Sequence, residues 1–289
     1  MKKPEVCFIG MGVMGAPMAG HIARKGYPVT VHNRSPEKAQ AWAREYPGNA
    51  AAELQSAVGK ADIVCLCLGN DQSVEETLAG KGGAMEALRP GSVIVDHTTT
   101  SARLARRMHA AAAERGLSFL DAPVSGGEAG AQNGVLTVMA GGEQAALDRA
   151  RPVLECYAMA VTLMGDSGAG QLTKMVNQIC IAGLLQSLSE GLAFSEKAGL
   201  DSKRVLEVIS KGAAQSWQME NRGTTMVDDQ FDFGFAVDHM RKDLGLCIEQ
   251  AELIGARLPV AELVDQYYAE VQEMGGARWD TSSLIKRLL

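Results

Sequence analysis

Apolar residues fall in short runs along the first half of the chain, and helical stretches lie between them. Val6 to Ile9, Val29 to His32, Ile63 to Leu68, Val93 to Val95 and Ser118 to Leu120 are aliphatic or β-branched and bounded by Gly, Asp or Asn, which predicts strands. Segments such as Pro36 to Glu45 and Ala102 to Arg115 read as helices between them. Continuously apolar strands alternating with helices imply a parallel, doubly wound α/β sheet, because such strands are buried on both faces. Leu136 to Ala140 and Ala160 to Met164 predict two further strands.

Beyond about Gly168 the period changes to that of helices: Gly170 to Lys197, Lys203 to Ser210, Asp238 to Ile254 and Pro259 to Met274. The expected organisation is an α/β domain over residues 1–166 and an all-helical domain over 167–289, joined by the long helix. That helix is apolar on most faces, so burial between domains or subunits is expected. Phe231, Phe233 and Phe235 alternate in a segment expected to be a loop, packing between subunits or over a cleft. Trp217 is expected either to line a pocket or to pack in a core.

The 289 residues are 46% hydrophobic and 21% charged, as expected of a globular chain large enough for two cores. A formal net charge of −6 argues against nucleic acid or an anionic membrane as partner. The pairs Lys2–Lys3 and Arg106–Arg107 read as solvated faces. No apolar run is long enough for a bilayer span, and Val6 to Ile9 is too short for a signal-peptide core, so cytoplasmic residence is expected. The six cysteines include no CxxC pair and read as buried thiols; metal-ligand spacing is absent.

Candidate chemistry begins at Gly10-Met11-Gly12-Val13-Met14-Gly15, a GxGxxG between a predicted strand and a predicted helix. The first glycine permits the turn, the second lets backbone approach a pyrophosphate, and the third lets helix pack on strand. The helix N-terminus then offers N–H groups and partial positive charge to the phosphates. Pro17 is tolerable in the first turn. After the second strand comes His32-Asn33-Arg34-Ser35, with no carboxylate until Glu37. The Arg34 fork, with Asn33 and Ser35, suits a 2′-phosphate, which favours NADP over NAD. The alternative is an exposed turn residue in an enzyme that takes either cofactor.

Lys174, Asn177 and Gln178 share one helix face by their spacing, among Val176, Ile179 and Ile181. An amine and two amides in an apolar setting suggest proton transfer beside a bound dinucleotide. An ordinary lysine titrates near 10.4, and burial or a neighbouring cation would lower that value toward neutrality.

Four separated signatures give the chain a close resemblance to the β-hydroxyacid dehydrogenase family. They are Phe8 to Ala19, Asp121-Ala122-Pro123-Val124-Ser125-Gly126-Gly127, Gly168 to Gln178, and Lys242-Asp243-Leu244. The family's Asp-x-Ser-Thr segment, beside the nicotinamide ribose, looks like Asp96-His97-Thr98-Thr99. The resemblance implies a Rossmann-type domain and a nicotinamide cofactor. It further implies hydride transfer to or from a short β-hydroxyacid or semialdehyde, in a homodimer or homotetramer. It matches Lys174 to the catalytic lysine, Ser125, Gly126 and Gly127 to the substrate carboxylate loop, and Asn177 to an amide orienting substrate. Lys242 matches a lysine near the nicotinamide, and Thr98 and Thr99 fall in the ribose segment.

Two residues depart from the family pattern. His97 stands where a small residue is common, and either narrows or polarises the pocket edge or caps the strand end and touches nothing. Gln178 replaces a second asparagine and points to the reductase branch. Two rival readings are an imine reductase-like enzyme, whose members usually carry Asp or Tyr in place of Lys174, and a non-catalytic NADP-binding module. No histidine sits near a nucleophile motif, so Ser-His-Asp catalysis is unsupported.

Overall fold

A computed structural model describes residues 3–289, so Lys2 of the Lys2–Lys3 pair lies outside the described residues. The chain forms two compact units, one ending at Lys174 and the other running from Met175 to Leu289.

The first unit holds nine strands: β1 (Val6–Ile9), β2 (Val29–His32), β3 (Asn49–Ala50), β4 (Ile63–Leu66), β5 (Val93–Asp96), β6 (Ser118–Asp121), β7 (Val124–Ser125), β8 (Leu136–Gly141) and β9 (Ala158–Gly165). Between them lie α1 (Gly15–Arg24), α2 (Pro36–Glu45), α3 (Leu54–Val58), α4 (Asp71–Ala79), α5 (Ala84–Ala87), α6 (Ala102–Ala113), α7 (Gly127–Asn133) and α8 (Gln144–Leu154). Strands run in the order β3-β2-β1-β4-β5-β6, all parallel. The expected parallel sheet is therefore present, with one addition: β8 joins it antiparallel to β6 and β7, and β9 then pairs parallel with β8. The connection from β7 to β8, residues 126–135 with the short α7, is shorter than the dozen or more residues a parallel crossover needs, and β8 returns in the opposite direction.

Successive side chains of one strand serve different cores, as a pleated strand requires. Val6 and Phe8 pack in a core with Met18 and Ile22 of α1, Trp42 of α2 and Leu147 of α8. Cys7 and Ile9 face the other way, into a core with Val74 and Leu78 of α4 and Leu104 and Met108 of α6. This double burial is why the strands read as unbroken apolar runs. Cys65 and Cys67 share the first of these faces, and all six cysteines are free thiols.

The second unit is helical: most of α9 (Ala169–Lys197), then α10 (Ser202–Ile209), α11 (Trp217–Val227), α12 (Val237–Ile254) and α13 (Pro259–Glu273), with a final 3₁₀ turn at Thr281–Arg287. Its core joins Leu185 of α9 to Met240 and Leu244 of α12 and Val264 and Tyr268 of α13. Among the phenylalanines expected in a loop, Phe231 is buried in a second cluster with Met226 and Ile285. Phe233 and Trp217 remain partly exposed with the Arg222 guanidinium 5.0 Å from each ring. None of the helices among the described residues is long and apolar enough to cross a membrane.

The division at Lys174 falls inside α9 rather than near residue 166, where the strand pattern stops. The reason is a buried cap. The Asp121 carboxylate, at the end of β6, accepts from Gly168 N–H at 2.7 Å and from Gln171 N–H at 2.9 Å. Gly170 lies so close that a Cβ there would sit 2.4 Å from the Met139 carbonyl oxygen. The first turns of α9 are thus bonded into the α/β unit.

Candidate active site

In a parallel sheet ligands bind beyond the carboxyl ends of the strands, where the strand order reverses. Here that point lies at β1, flanked by β2 and β4. The glycine loop follows β1, Asn33 follows β2, Thr98 and Thr99 follow β5, and the Ser125 loop follows β6, so all four share this edge.

Each glycine of the loop has its own steric reason. Gly10 has φ +98°, and a Cβ there would lie 2.3 Å from the Cys67 carbonyl oxygen. At Gly15 a Cβ would lie 1.9 Å from the Gly10 carbonyl oxygen, so only glycine lets α1 start this close to β1. A Cβ on Gly12 would meet no protein atom within 4 Å. The space over Gly12 is what a pyrophosphate approaching the backbone needs. Val13 is 62% exposed beside it, and the first turn of α1 leaves N–H groups without intrahelical acceptors. These residues fit a dinucleotide.

Asn33 ties the loop to the end of β2. Its Oδ1 accepts from Met11 N–H at 2.8 Å, and its Nδ2 donates to the Ser35 carbonyl at 3.0 Å. Met11 itself is buried, so of the loop residues Gly12 and Val13 are the ones open to solvent. Arg34 and Ser35 are exposed just beyond, at the start of α2, and the Ser35 hydroxyl makes no capping bond to that helix.

The segment after β5 is held from several sides. Asp96 Oδ1 accepts from Thr98 N–H, and the Thr98 hydroxyl accepts from Leu68 N–H, each at 2.9 Å. Gln171 closes the loop: its Nε2 donates to the Thr98 carbonyl at 2.7 Å and its Oε1 accepts from Thr100 N–H at 3.0 Å. Thr98 is buried and its side chain is turned to this scaffold, whereas Thr99 is partly exposed. Gln171 and Asp121 both lie within the sequence signatures, yet their roles are invisible there because their partners are distant in the chain.

Burial dominates the electrostatics of this unit. It pushes the Asp96 carboxyl up to about 7, and the nearby Asp121 and Asp71 carboxylates add to the rise while the Thr98 bonds oppose it. Asp121 is also raised, by burial first, against the pull of its backbone donors. His97 does not sit idle at a strand end. Its Nδ1 lies 2.7 Å from the Ala122 carbonyl and its Nε2 2.7 Å from the Tyr157 hydroxyl, and burial holds its pKa down to about 4.

Gly126 and Gly127 have φ values of +129° and +61°, a region that favours glycine, and both are exposed. With the half-buried Ser125 they open α7, so hydroxyl and backbone N–H groups lie on one short turn, which suits an anion.

Lys174 lies on the second turn of α9 and is only 8% exposed. Asn177 and Gln178 follow one turn later. In the helical unit Asn177 Nδ2 donates to Gln178 Oε1, and Gln178 Nε2 donates to Asp243 Oδ2, both at 2.7 Å. Asp243 Oδ1 pairs with Lys242 Nζ at 3.0 Å. Gln178 is buried at the centre of this chain of contacts, joining Asn177 to the Lys242–Asp243 pair. No group of metal-ligating side chains occurs among the described residues.

Similarity to known proteins identifies the family. Residues 5–165 match the family model described as the NAD binding domain of 6-phosphogluconate dehydrogenase. Residues 168–288 match that described as NAD-binding of NADP-dependent 3-hydroxyisobutyrate dehydrogenase. An uncharacterized oxidoreductase of Shewanella frigidimarina is 55% identical, covering 98% of both chains. The 2-hydroxy-3-oxopropionate reductase of Escherichia coli is 35% identical over 97% of this chain and 96% of its own. Among solved structures, the 3-hydroxyisobutyrate dehydrogenase of Mycobacterium tuberculosis, determined with L-serine, is 31% identical. It superposes with a TM-score of 0.89 over 99% of each chain. The chain is a nicotinamide-binding oxidoreductase and belongs to the β-hydroxyacid dehydrogenase family.

Proposed function

We propose that the protein reduces a short semialdehyde to its β-hydroxyacid, or runs the reverse reaction, with NADP(H) preferred over NAD(H) and Lys174 as the proton-transfer group. The observation that carries this reading is Lys174 itself, a lysine only 8% exposed on a helix bonded into the dinucleotide-binding unit. A lysine without a task is costly to bury and normally extends its amine to water. When bound, the nicotinamide supplies or accepts the hydride at the substrate carbon. Lys174 Nζ gives a proton to the carbonyl oxygen during reduction and takes it from the hydroxyl during oxidation.

The other residues bind and orient. Ser125, Gly126 and Gly127 receive the substrate carboxylate, and Asn177 donates to a substrate oxygen, with Gln178 holding that amide in place. Exposed Arg34, with no carboxylate nearer than Glu37 in sequence, supports NADP through a fork that matches a 2′-phosphate. Lys242 lies near the nicotinamide in this reading, and Thr99 beside its ribose. Exposed apolar residues on α9, with Val176 at 61% and Phe194 at 73%, support a homodimer or homotetramer built on that helix, which light scattering would detect.

The test is NADPH oxidation with glyoxylate and with succinic, tartronate and methylmalonate semialdehydes, alongside NADH, the reverse reaction and Lys174→Ala. Turnover of one aldehyde, lost by at least about a thousandfold in Lys174→Ala with NADPH affinity unchanged, is the expected result. Turnover surviving the substitution, or confined to imines, would refute the assignment.

A further inference from the structure

His97 ends the strand ladder of β5: its N–H donates to the Leu66 carbonyl at 2.8 Å, and its ring, 2% exposed, lies beneath the site. The ring joins three segments that the site uses. It stacks on Phe8, two residues before the glycine loop, at a centroid distance of 6.3 Å. Its backbone lies between Asp96 and Thr98. Its Nδ1 meets the carbonyl of Ala122, where the chain leaves β6 and turns toward Ser125.

The direction of every bond in this group is fixed by chemistry. A carbonyl oxygen only accepts, so Nδ1 carries the proton. The neutral ring then presents a lone pair at Nε2, so the Tyr157 hydroxyl donates to it. The Cys65 thiol of β4 is a buried neighbour of the same hydroxyl. Tyr157 is fully buried and its backbone carbonyl accepts from Leu136 N–H, so it cannot swing away from the ring. The acceptor on the other side is equally constrained. Residue 123 is proline, whose φ is fixed and which has no N–H. The plane of the Ala122–Pro123 peptide therefore sets the direction in which Val124, Ser125 and the two glycines leave the sheet, and the His97 Nδ1–H grips that plane by its oxygen.

We propose that His97 is a positioning residue for the carboxylate loop, with Tyr157 locking its ring so that Ala122 and the Ser125–Gly127 turn keep a fixed distance from the Asp96–Thr99 segment. This rests on the reading that Ser125 to Gly127 receive the substrate carboxylate. It makes His97 a specificity device that touches neither substrate nor cofactor.

Replacement by Asn keeps an N–H at the place of Nδ1, whereas Leu fills similar volume with no donor. His97→Asn should hold the KM for the hydroxyacid or aldehyde within about twofold of wild type, and His97→Leu should raise it about tenfold or more, with kcat and the KM for NADPH little changed. A His97→Leu protein that folds and keeps the wild-type KM overturns the proposal, as does an equal rise in both variants. The ring is also read directly in the full-length wild-type protein, by nitrogen NMR of labelled histidine at neutral pH. An Nδ1–H tautomer is expected, and an Nε2–H tautomer overturns the proposal even where His97→Leu fails to fold. That measurement needs no turnover, so failure of the whole aldehyde panel would count against the proposed reaction and leave the His97 result standing.

Discussion

Asp96 offers a quantitative test of how burial shapes the α/β unit. Its carboxyl is 1% exposed at the end of β5, and its pKa is raised from 3.8 to about 7 by burial first and by Asp121 and Asp71 after. An acid with a raised folded-state pKa keeps its proton on folding over the window in which the unfolded chain has released it. Folding therefore takes up a proton between about pH 4 and pH 7, and stability falls as pH rises through that window. One pKa unit corresponds to about 1.4 kcal/mol, so the shift costs the folded state on the order of 4 kcal/mol once Asp96 ionises. Asp96→Asn retains an oxygen that can accept from Thr98 N–H and removes the ionisation. The stability difference between variant and wild type should grow by about 1.4 kcal/mol per pH unit from pH 4 to 7 and level off above. Asp121 contributes to the same trend, and because the two carboxyls interact, the difference reports Asp96 together with its coupling to Asp121. Urea unfolding at pH 5, 6, 7 and 8, read by hydrogen exchange of the β4 and β5 amides, measures the unit concerned. A difference that stays flat across those pH values would refute the reasoning.

The glycine loop gives a contrasting pair. Gly12→Ala, with no protein atom within 4 Å of the new Cβ, should leave the thermal midpoint unchanged and weaken NADPH binding at least roughly tenfold. Gly15→Ala, with its Cβ 1.9 Å from the Gly10 oxygen, should lower the midpoint and abolish binding together; equal stability of the two variants would contradict the steric account. Arg34→Ala should lower kcat/KM for NADPH about ten- to a hundredfold and leave that for NADH unchanged, as loss of a charged hydrogen bond implies. Gln171→Leu strips partners from the Thr98 carbonyl and the Thr100 N–H, and should cost the α/β unit about 2–4 kcal/mol by urea unfolding.

What the sequence displays depends on whether the physics is local. Strands buried on both faces show as largely apolar runs and β2 shows as alternation of Val29 and Val31 with half-buried residues, so β1, β2, β4, β5 and β6 are legible to within a residue or two. The GxGxxG is legible because Gly15 answers a clash with backbone five residues away and Gly10 one with Cys67 just past the neighbouring strand, while the space over Gly12 is left open. By contrast β3 and β7 are two residues each, too short for a period to register. Helix α11 hides behind Asn221, Gly223 and Thr224, poor helix formers whose segment is held by packing of Met219 and Met226 rather than by propensity. His97 and Tyr157 are 60 residues apart, and the partners of Gln171 lie 71 and 73 residues away. No window on the chain contains such pairs, so His97 in isolation reads as an oddity and Gln171 as filler.

The same distinction explains why the unit boundary matters for chemistry. A strand-to-helix change of period places it near residue 166, but the covalent pattern does not show where hydrogen bonds cease. Asp121 and Gln171 bond the first turns of α9 to the ends of β5 and β6, and Lys174 follows Gln171 by three residues. Hydride and proton transfer to one carbonyl demand that their two donors keep a fixed separation, and a misplacement of about 1 Å can cost a hundredfold in rate. Placing the lysine on the turns that Asp121 and Gln171 hold makes its register to the glycine loop a property of a single folded unit. If Lys174 is the proton-transfer group, as proposed, the buried aspartate at the end of β6 helps to place it by holding the turns of α9 on which it sits.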